Sequence, residues 1–206
     1  MAIDTEPRDR VPHDVYAPPQ APVADLGAQR RATEYFVVSS RKLWLLNLAT
    51  FGLYGYYWRY KMWAAYRRWH RESLWPAARS IFAIFFAHSL NQEIDRSLRE
   101  AHIAHRWWPN SVATLFVIAL VVSGIVSGIA RLGALPPAFQ AVSLAMLLPI
   151  TWTMAQTQRA ANLACVDAVG AGNARLTVAN WIWLALGGIL WVLNAIGWVL
   201  IALGRA

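Results

Sequence analysis

The residues best able to do chemistry lie in one short stretch, residues 50–63, with the sequence TFGLYGYYWRYKMW. Aromatic rings beside cations suit three kinds of ligand: a phospholipid headgroup, a quinone ring or a quaternary ammonium group. The same composition also forms the aromatic belt at a membrane surface, which needs no specific ligand, and this is the simpler interpretation. The candidate headgroup or ligand residues are Tyr54, Tyr57, Trp58, Arg59, Lys61, Arg68 and Arg71.

Candidate catalytic groups are few. His88, followed by Glu93 and Asp95, has the residue types of a proton relay, and an intramembrane enzyme acting on lipid would rest on these three alone. His102 and His105 have a spacing that suits two metal ligands, but nothing nearby supplies a third and a fourth. No nucleophile elbow, metalloprotease motif or glycine-rich phosphate loop occurs. We therefore predict no enzymatic activity, no catalytic residue, no metal and no cofactor.

The composition predicts a membrane setting for these residues. Only 15% of the 206 residues are charged and 57% are hydrophobic, whereas soluble domains carry about 25% charged residues. Three stretches, 110–130, 132–158 and 176–204, contain no charged side chain. Each is longer than the roughly 20 residues that a helix needs to cross a bilayer. We predict three full transmembrane helices, at about 111–130, 137–154 and 178–203, with the second continuing as a polar helix to about 169.

An earlier apolar segment, residues 43–58, is too short for an ordinary span. It contains Gly52 and Gly55, which favour a hinge, and basic residues flank both of its ends. A single span would place one of those basic flanks on the wrong side of the membrane. We therefore predict two half-helices that enter the membrane and return to the same face. The alternative is one kinked, tilted span.

The predicted fold class is an all-α membrane protein that also carries amphipathic interfacial helices. Residues 56–72 place Trp58, Met62, Ala65, Tyr66 and Trp69 on one apolar stripe, as in a helix lying on a membrane surface. A further helix is predicted from Ser73 or Pro76 to about Ala101. Proline-rich residues 1–33 are predicted to be a disordered tail, and residues 34–206 a single helical membrane domain.

Small and polar residues in the predicted spans mark where helices should pack closely. Gly124 and Gly128 are four apart in one span, and Gly187 and Gly188 are adjacent in the last. Asn194 offers a polar contact deeper in the same span. Such residues let helix backbones approach one another inside a membrane.

The net charge of +8 is concentrated in residues 59–110, which carry nine Lys/Arg against four Asp/Glu. In a membrane protein such a block predicts the cytoplasmic side. Its expected partners are anionic lipid headgroups, and the charge distribution argues against nucleic acid.

Four segments of the chain resemble a family of uncharacterised bacterial integral membrane proteins. They are YFVVSSRKLWLLNLATFGLYGYYWRYKMW (35–63), ARSIFAIFFAHSL (78–90), QRAANLA (158–164) and NWIWLALGGILW (180–191). The element T-x-G-x-Y-x-x-Y-W-x-Y, residues 50–60, is the most specific of these. The resemblance implies a multi-pass, all-helical protein of the bacterial inner membrane, and it implies no activity.

Together these patterns predict a non-enzymatic envelope protein whose basic, aromatic cytoplasmic layer binds anionic lipid or a partner protein. A small carrier or channel is the alternative. It would be a homo-oligomer, because three or four spans rarely enclose a pathway alone.

Overall fold

A computed structural model describes residues 33–133, 136 and 139–203. The predicted disordered tail lies outside the described residues, except for Thr33. All regular secondary structure in the described part is helical, which confirms the all-α prediction. The elements are α1 (Ser40–Ala49), α2 (Leu53–His70), α3 (Pro76–Ile81), α4 (Ala83–Glu100), α5 (Pro109–Arg131), α6 (Gln140–Ala145), α7 (Leu147–Ala164), a 3-10 turn (Ala171–Asn173) and α8 (Val178–Ala202).

Helices α1 and α2 form a hairpin. Helix α1 begins after Ser39, whose hydroxyl accepts from the backbone N–H of Lys42, and the chain leaves the helix after Ala49. Gly52 then adopts φ +86°, a left-handed conformation that glycine takes without strain. The chain reverses direction there. As a result, the ring centroid of Phe36, which precedes α1, lies 6.2 Å from that of Tyr57 in α2. Of the two predicted hinge glycines, Gly52 lies in the turn and Gly55 lies inside α2.

The tip of this hairpin lies level with the middle of two long apolar helices. The ring of Phe51 stacks on that of Trp191 in α8 at 4.4 Å. Gly187 contacts the α1 backbone so closely that a Cβ there would overlap the carbonyl of Ala49. Gly187 is nine residues after Val178, or about 14 Å along α8 at 1.5 Å per residue.

Two described helices, α5 and α8, are long and apolar enough to cross a membrane. Only 22% of the apolar window of α5 and 6% of that of α8 are buried, so neither is an enclosed core helix. The second predicted span differs from the prediction. It is divided at Met146 into α6 and α7, and α7 ends at Ala164 rather than near residue 169.

The division at Met146 follows from Pro149, which has no N–H to donate to Ala145 and whose ring would clash with that carbonyl in a continuous helix. Beyond this break, α7 carries buried polar side chains. Thr151, Thr153, Gln158 and Asn162 are each at most 1% exposed. Their partners come mainly from the chain that packs around α7, so this helix is the polar centre of the fold.

The amides of α7 and the following turn hold the extended residues 36–38, which precede α1. Gln158 Nε2 donates to the carbonyl of Phe36 at 2.9 Å, and Asn162 Nδ2 to that of Val38 at 3.0 Å. Asn173 Nδ2 donates to the carbonyl of Val37 at 3.0 Å. Three consecutive carbonyls that belong to no helix or sheet are thus satisfied by side chains.

Two predicted interfacial helices also differ from the prediction. The apolar stripe of α2 packs inside the bundle, where Trp58, Met62 and Tyr66 are at most 3% exposed, because α4 and α7 cover it. The helix predicted from about Pro76 to Ala101 is interrupted at Phe82, where ψ is +42°. Next to this break, Ile81 and Phe85 are 65% and 75% exposed.

We predict that Gly170→Ala destabilises the fold far more than Gly133→Ala. Both glycines have a left-handed φ, +70° and +72°. Each variant should therefore incur the same backbone strain, about 1–2 kcal/mol. Only at Gly170 would the new Cβ overlap the carbonyl of Val38, which adds about 1–3 kcal/mol of overpacking. Thermal unfolding of the detergent-solubilised protein measures both. Equal losses for the two variants would show that residues 36–38 are not held tightly against this turn.

Candidate functional site

The structure does not place the predicted ligand residues on one surface. Trp58 and Arg59 form a buried pair, and Tyr54 and Tyr57 line a groove beside α8. Lys61 is half-buried, and Arg68 and Arg71 are exposed at the end of α2.

Arg59 is the unusual member of the set, because it is a buried cation. It is 8% exposed, and its guanidinium carbon lies 4.2 Å from the ring centroid of Phe116 in α5. Phe116 is seven residues after Pro109, so this contact lies about 10 Å along α5. Among the described residues, no carboxylate forms an ion pair with Arg59. The cation–π contact compensates only part of the cost of removing a charge from water.

The charge of Arg59 persists at neutral pH. An arginine side chain stays protonated in folded proteins near pH 7 even when it is buried. The residue therefore presents a fixed positive charge inside the bundle.

Arg59 faces a cavity of about 120 Å³ between the two helix breaks. Phe51 and Gly52 come from the α1–α2 turn, and Ile81 and Ala83 flank the α3–α4 break. Further lining comes from the middle of α5 and the start of α7, namely Leu120, Ser123, Leu147 and Ile150. Such a volume exceeds the roughly 30 Å³ that one water molecule occupies in the liquid.

A second polar atom without a partner lies beside Arg59. Asn47 is fully buried, and its Oδ1 accepts no hydrogen bond within the described part of the chain. A Cβ built on Gly55 would lie 3.1 Å from Arg59 Nη1 and 3.3 Å from Asn47 Oδ1. Gly55 therefore serves close approach rather than the predicted hinge, and any larger residue would fill the space between the two polar groups.

The two tyrosines belong to a separate groove between the hairpin and α8. Tyr54 and Tyr57 line a cavity of about 330 Å³ together with Thr50 and Leu53 on one side and Asn180 and Trp183 on the other. The lining is largely apolar and aromatic, so the groove suits a hydrocarbon chain better than a charged group. The centroids of the two phenol rings are 5.8 Å apart, and the ring planes are tilted by 40° to each other.

The remaining cations of the set lie outside both cavities. Lys61 Nζ is 5.5 Å from the ring centroid of Phe36 and is half-buried. Arg68 and Arg71 are exposed, and Arg71 ends α2 with φ +56°.

The predicted packing residues behave in two ways. Gly187 packs against α1 as described above, whereas Gly124, Gly128 and Gly188 have open space where a Cβ would lie. In α5 the neighbouring serines make the helix contact instead, since Ser127 Oγ donates to Ser143 Oγ in α6 at 2.9 Å. Asn194 is half-buried and lines a cavity of about 220 Å³ between α8 and that contact.

The candidate relay residues point away from one another. His88 Nε2 lies 3.0 Å from Thr114 Oγ1 in α5, while Glu93 pairs with Arg96 and Asp95 with Arg99. His102 is exposed, and within the described ranges no group of three or more His, Cys, Asp or Glu side chains could hold a metal ion.

Comparison of the chain with protein-family models, curated proteins and solved structures gave no match. The resemblance carried by residues 35–63 thus stays a prediction, and any functional argument has to come from the geometry of the site.

Sequence reasoning missed Asn47 as a site residue. A single asparagine in a short apolar segment predicts no site by itself, and its proximity to Arg59 depends on the hairpin. The one available signal was Gly55, since a glycine inside a helix can mark a close approach of other groups to the backbone.

We predict that Arg59→Met leaves the free energy of unfolding unchanged or raises it by about 1–4 kcal/mol, because an apolar side chain of similar length replaces an unpaired buried charge. Arg79→Met is the matched control. Arg79 is half-buried, and its guanidinium carbon lies 4.3 Å from the ring centroid of Trp63. Its substitution should lower the free energy of unfolding by about 0.5–2 kcal/mol. Unfolding of the purified protein in detergent measures both. A marked destabilisation by Arg59→Met would identify Arg59 as a structural residue.

Proposed function

We propose that this protein is an integral membrane protein of the bacterial inner membrane whose basic end binds anionic lipid headgroups. The basic end is the set of exposed arginines at the end of the bundle where α5 and α8 begin: Arg41, Arg67, Arg68, Arg71, Arg96, Arg99, Arg106, Arg159 and Arg175. Arg131 alone, among the described cations, stands at the opposite end of α5. This asymmetry is the observation that carries the proposal, and it corresponds to the cytoplasmic face under the positive-inside rule.

The membrane setting is supported by the exposed surface of α8 and by the tryptophans at helix starts. Trp75 precedes α3, Trp108 precedes α5, and Trp181 and Trp183 lie in the first turns of α8, each more than half exposed. Tryptophan favours the boundary between headgroups and hydrocarbon because its ring is apolar and its N–H is polar. Three helices therefore begin at one proposed interface, next to the basic end.

In this arrangement the α1–α2 hairpin enters the membrane from the cytoplasmic face and returns to it. Its tip would lie near the bilayer midplane, since it is level with the middle of α5 and α8. The broken backbone at Thr50–Gly52 is protected as such a turn requires, because Thr50 Oγ1 accepts from the N–H of Tyr54 at 3.0 Å. We propose that α6 and the first turns of α7 form the third crossing.

A second candidate function is a small oligomeric carrier of an anionic solute. The specific observation in its favour is that the two helix breaks, at the α1–α2 turn and at Phe82, flank the cavity of the buried Arg59. Secondary transporters commonly bind substrates at discontinuous helices near the membrane midplane. Uptake of anions into proteoliposomes separates this function from lipid binding.

We predict that single cysteines introduced at Arg41 and Ser73 react with an impermeant maleimide from the same side of the membrane, and that one at Leu132 reacts from the opposite side. All three positions are exposed. The native Cys165 does not interfere at neutral pH, because it is buried and burial raises the pKa of its thiol to about 11. Labelling of residues 41 and 73 from opposite sides would mean that residues 43–58 cross the membrane once.

We predict that the solubilised protein binds dioctanoyl phosphatidylglycerol more tightly than dioctanoyl phosphatidylcholine, and that added salt weakens this preference. Replacing Arg67, Arg68 and Arg71 together with glutamine should lower the affinity for the anionic lipid at least about tenfold, since each cation near an anionic headgroup layer contributes about 1 kcal/mol. Arg131→Gln, at the other end of α5, is the control and should have little effect. Ligand-dependent shifts of the unfolding temperature report the affinities, and equal binding of the two lipids would refute the proposal.

A further inference from the structure

The guanidinium of Arg59 has hydrogen-bond donors that the bundle leaves unused. A guanidinium carries five N–H groups and no acceptor. Arg59 is 8% exposed, and no carboxylate or carbonyl of the described residues accepts a hydrogen bond from its side chain. Its guanidinium lies over the rings of Trp58 and Phe116 instead. A buried charge is costly until such partners are supplied, so a ligand that accepts from Arg59 would stabilise this arrangement.

The cavity of about 120 Å³ between the two helix breaks gives a ligand access to these donors. Arg59 and Gly55 both line it, and Nη1 of Arg59 lies 3.1 Å from the point where Gly55 would carry a Cβ. One water molecule occupies roughly 30 Å³ in the liquid. The cavity therefore has room for a ligand of several non-hydrogen atoms.

The rest of the lining determines which kind of anion fits. Leu120, Leu147 and Ile150 contribute apolar side chains, and Ser123 adds a hydroxyl. Among the lining residues that the structure describes, none is a carboxylate and none besides Arg59 is a cation. One positive charge beside apolar side chains matches an anion that has one negative charge and a hydrocarbon body.

The cavity reaches the protein surface where α2 passes the break between α3 and α4. Tyr56 and Ile81 both line it, yet they are 46% and 65% exposed. Ser80 Oγ donates to the carbonyl of Tyr56, which holds α3 against α2 at this point. Phe82 and Phe85, which follow along the chain, are also more than half exposed. A hydrocarbon chain that leaves the cavity here continues along an apolar surface.

We propose that this cavity binds the carboxylate of an aliphatic monoacid. The two carboxylate oxygens accept from Arg59, whose planar guanidinium matches their spacing, and the alkyl chain lies against the apolar lining and leaves past Ile81. A short water-soluble acid and a fatty acid from the membrane share this chemistry and are the two possible sources. Arg59 is not one of the arginines of the basic end, so this inference goes beyond the proposed lipid binding and does not rest on it.

A carboxylate suits the cavity better than the other common anions. A halide ion uses neither the planar donor pattern of the guanidinium nor the apolar lining. A phosphate monoester carries close to two negative charges near pH 7, because its second pKa is about 6. The second charge would face a lining that offers no second cation among the described residues.

The test compares ligands of four carbons, using the full-length protein in detergent and ligand-dependent shifts of its unfolding temperature. Butyrate should bind at least about tenfold more tightly than butyramide, which has the same shape but no charge, because hydrogen bonds to a charged group are the stronger ones. Succinate, which adds a second carboxylate, should bind more weakly than butyrate. Sodium chloride at equal ionic strength controls for general salt effects. Butyramide or chloride binding as tightly as butyrate would overturn the inference.

Longer acids identify the source of the ligand. Affinity that rises through octanoate and decanoate, by more than it rises for the matching alcohols, makes the ligand a fatty acid of the membrane. The alcohols correct for partition into the detergent. Affinity that is greatest for butyrate makes the ligand a water-soluble acid. Both results support a carboxylate site, whereas alcohols that bind as tightly as the acids contradict it.

Substitutions of Arg59 assign the binding to this cavity. Arg59→Met should lower the affinity for butyrate at least about tenfold, and Arg59→Lys, which keeps the charge but not the planar donor pattern, should retain part of it. Arg79→Met is the matched control, because Arg79 is a half-buried arginine over the ring of Trp63 that does not line this cavity. Unfolding of each variant without ligand shows that it is folded.

The outcomes separate this inference from the proposed function. Butyrate binding that survives Arg59→Met, or that Arg79→Met weakens equally, refutes the carboxylate site and leaves lipid binding at the basic end standing. Equal binding of anionic and zwitterionic lipids refutes the proposed function and leaves the carboxylate site standing, because that comparison depends on the exposed arginines and not on Arg59.

Discussion

The fold depends on satisfying backbone polar groups that leave helical structure inside an apolar bundle. Helices satisfy their own amides, whereas the backbone groups of a buried turn or extended segment must find other partners. Here α7 supplies the missing partners, since Gln158 and Asn162 hold the segment before α1 and Thr151 accepts from Asn47 in α1. Once that segment and α1 are fixed against α7, α2 returns along them and Trp58 donates to Gln158, which closes the arrangement. A polar helix at the centre thus makes the hairpin possible.

The hairpin in turn explains why a charged residue lies inside the bundle. Arg59 follows the turn by seven residues and therefore faces α5 and α7 rather than the aqueous surface. Folding leaves its charge without a carboxylate in the described part of the chain, and Phe116 and Trp58 offer only cation–π contacts. A group that costs stability and is not needed for packing is characteristic of binding sites, where the ligand supplies the missing interaction. The exposed arginines of the basic end carry no such cost.

The sequence was sufficient for the helical class and for a chain break near Gly52, because these follow from local composition. It misassigned the apolar stripe of α2 to a membrane surface, since periodicity identifies a buried face without saying whether protein or lipid covers it. It also merged α6 and α7 into one span, because the absence of charge hid the buried threonines and amides of α7. The site around Arg59 and Asn47 could not be predicted, since it requires knowing that the chain reverses between them.

The central proposal is that one end of the bundle, defined by its exposed arginines, faces anionic lipid headgroups. An experimental structure of the full-length protein in lipid nanodiscs containing phosphatidylglycerol tests this most directly. The account predicts headgroup phosphate density within hydrogen-bond distance of Arg67, Arg68 or Arg71. Headgroup density confined to the opposite end of α5, near Arg131, would contradict it.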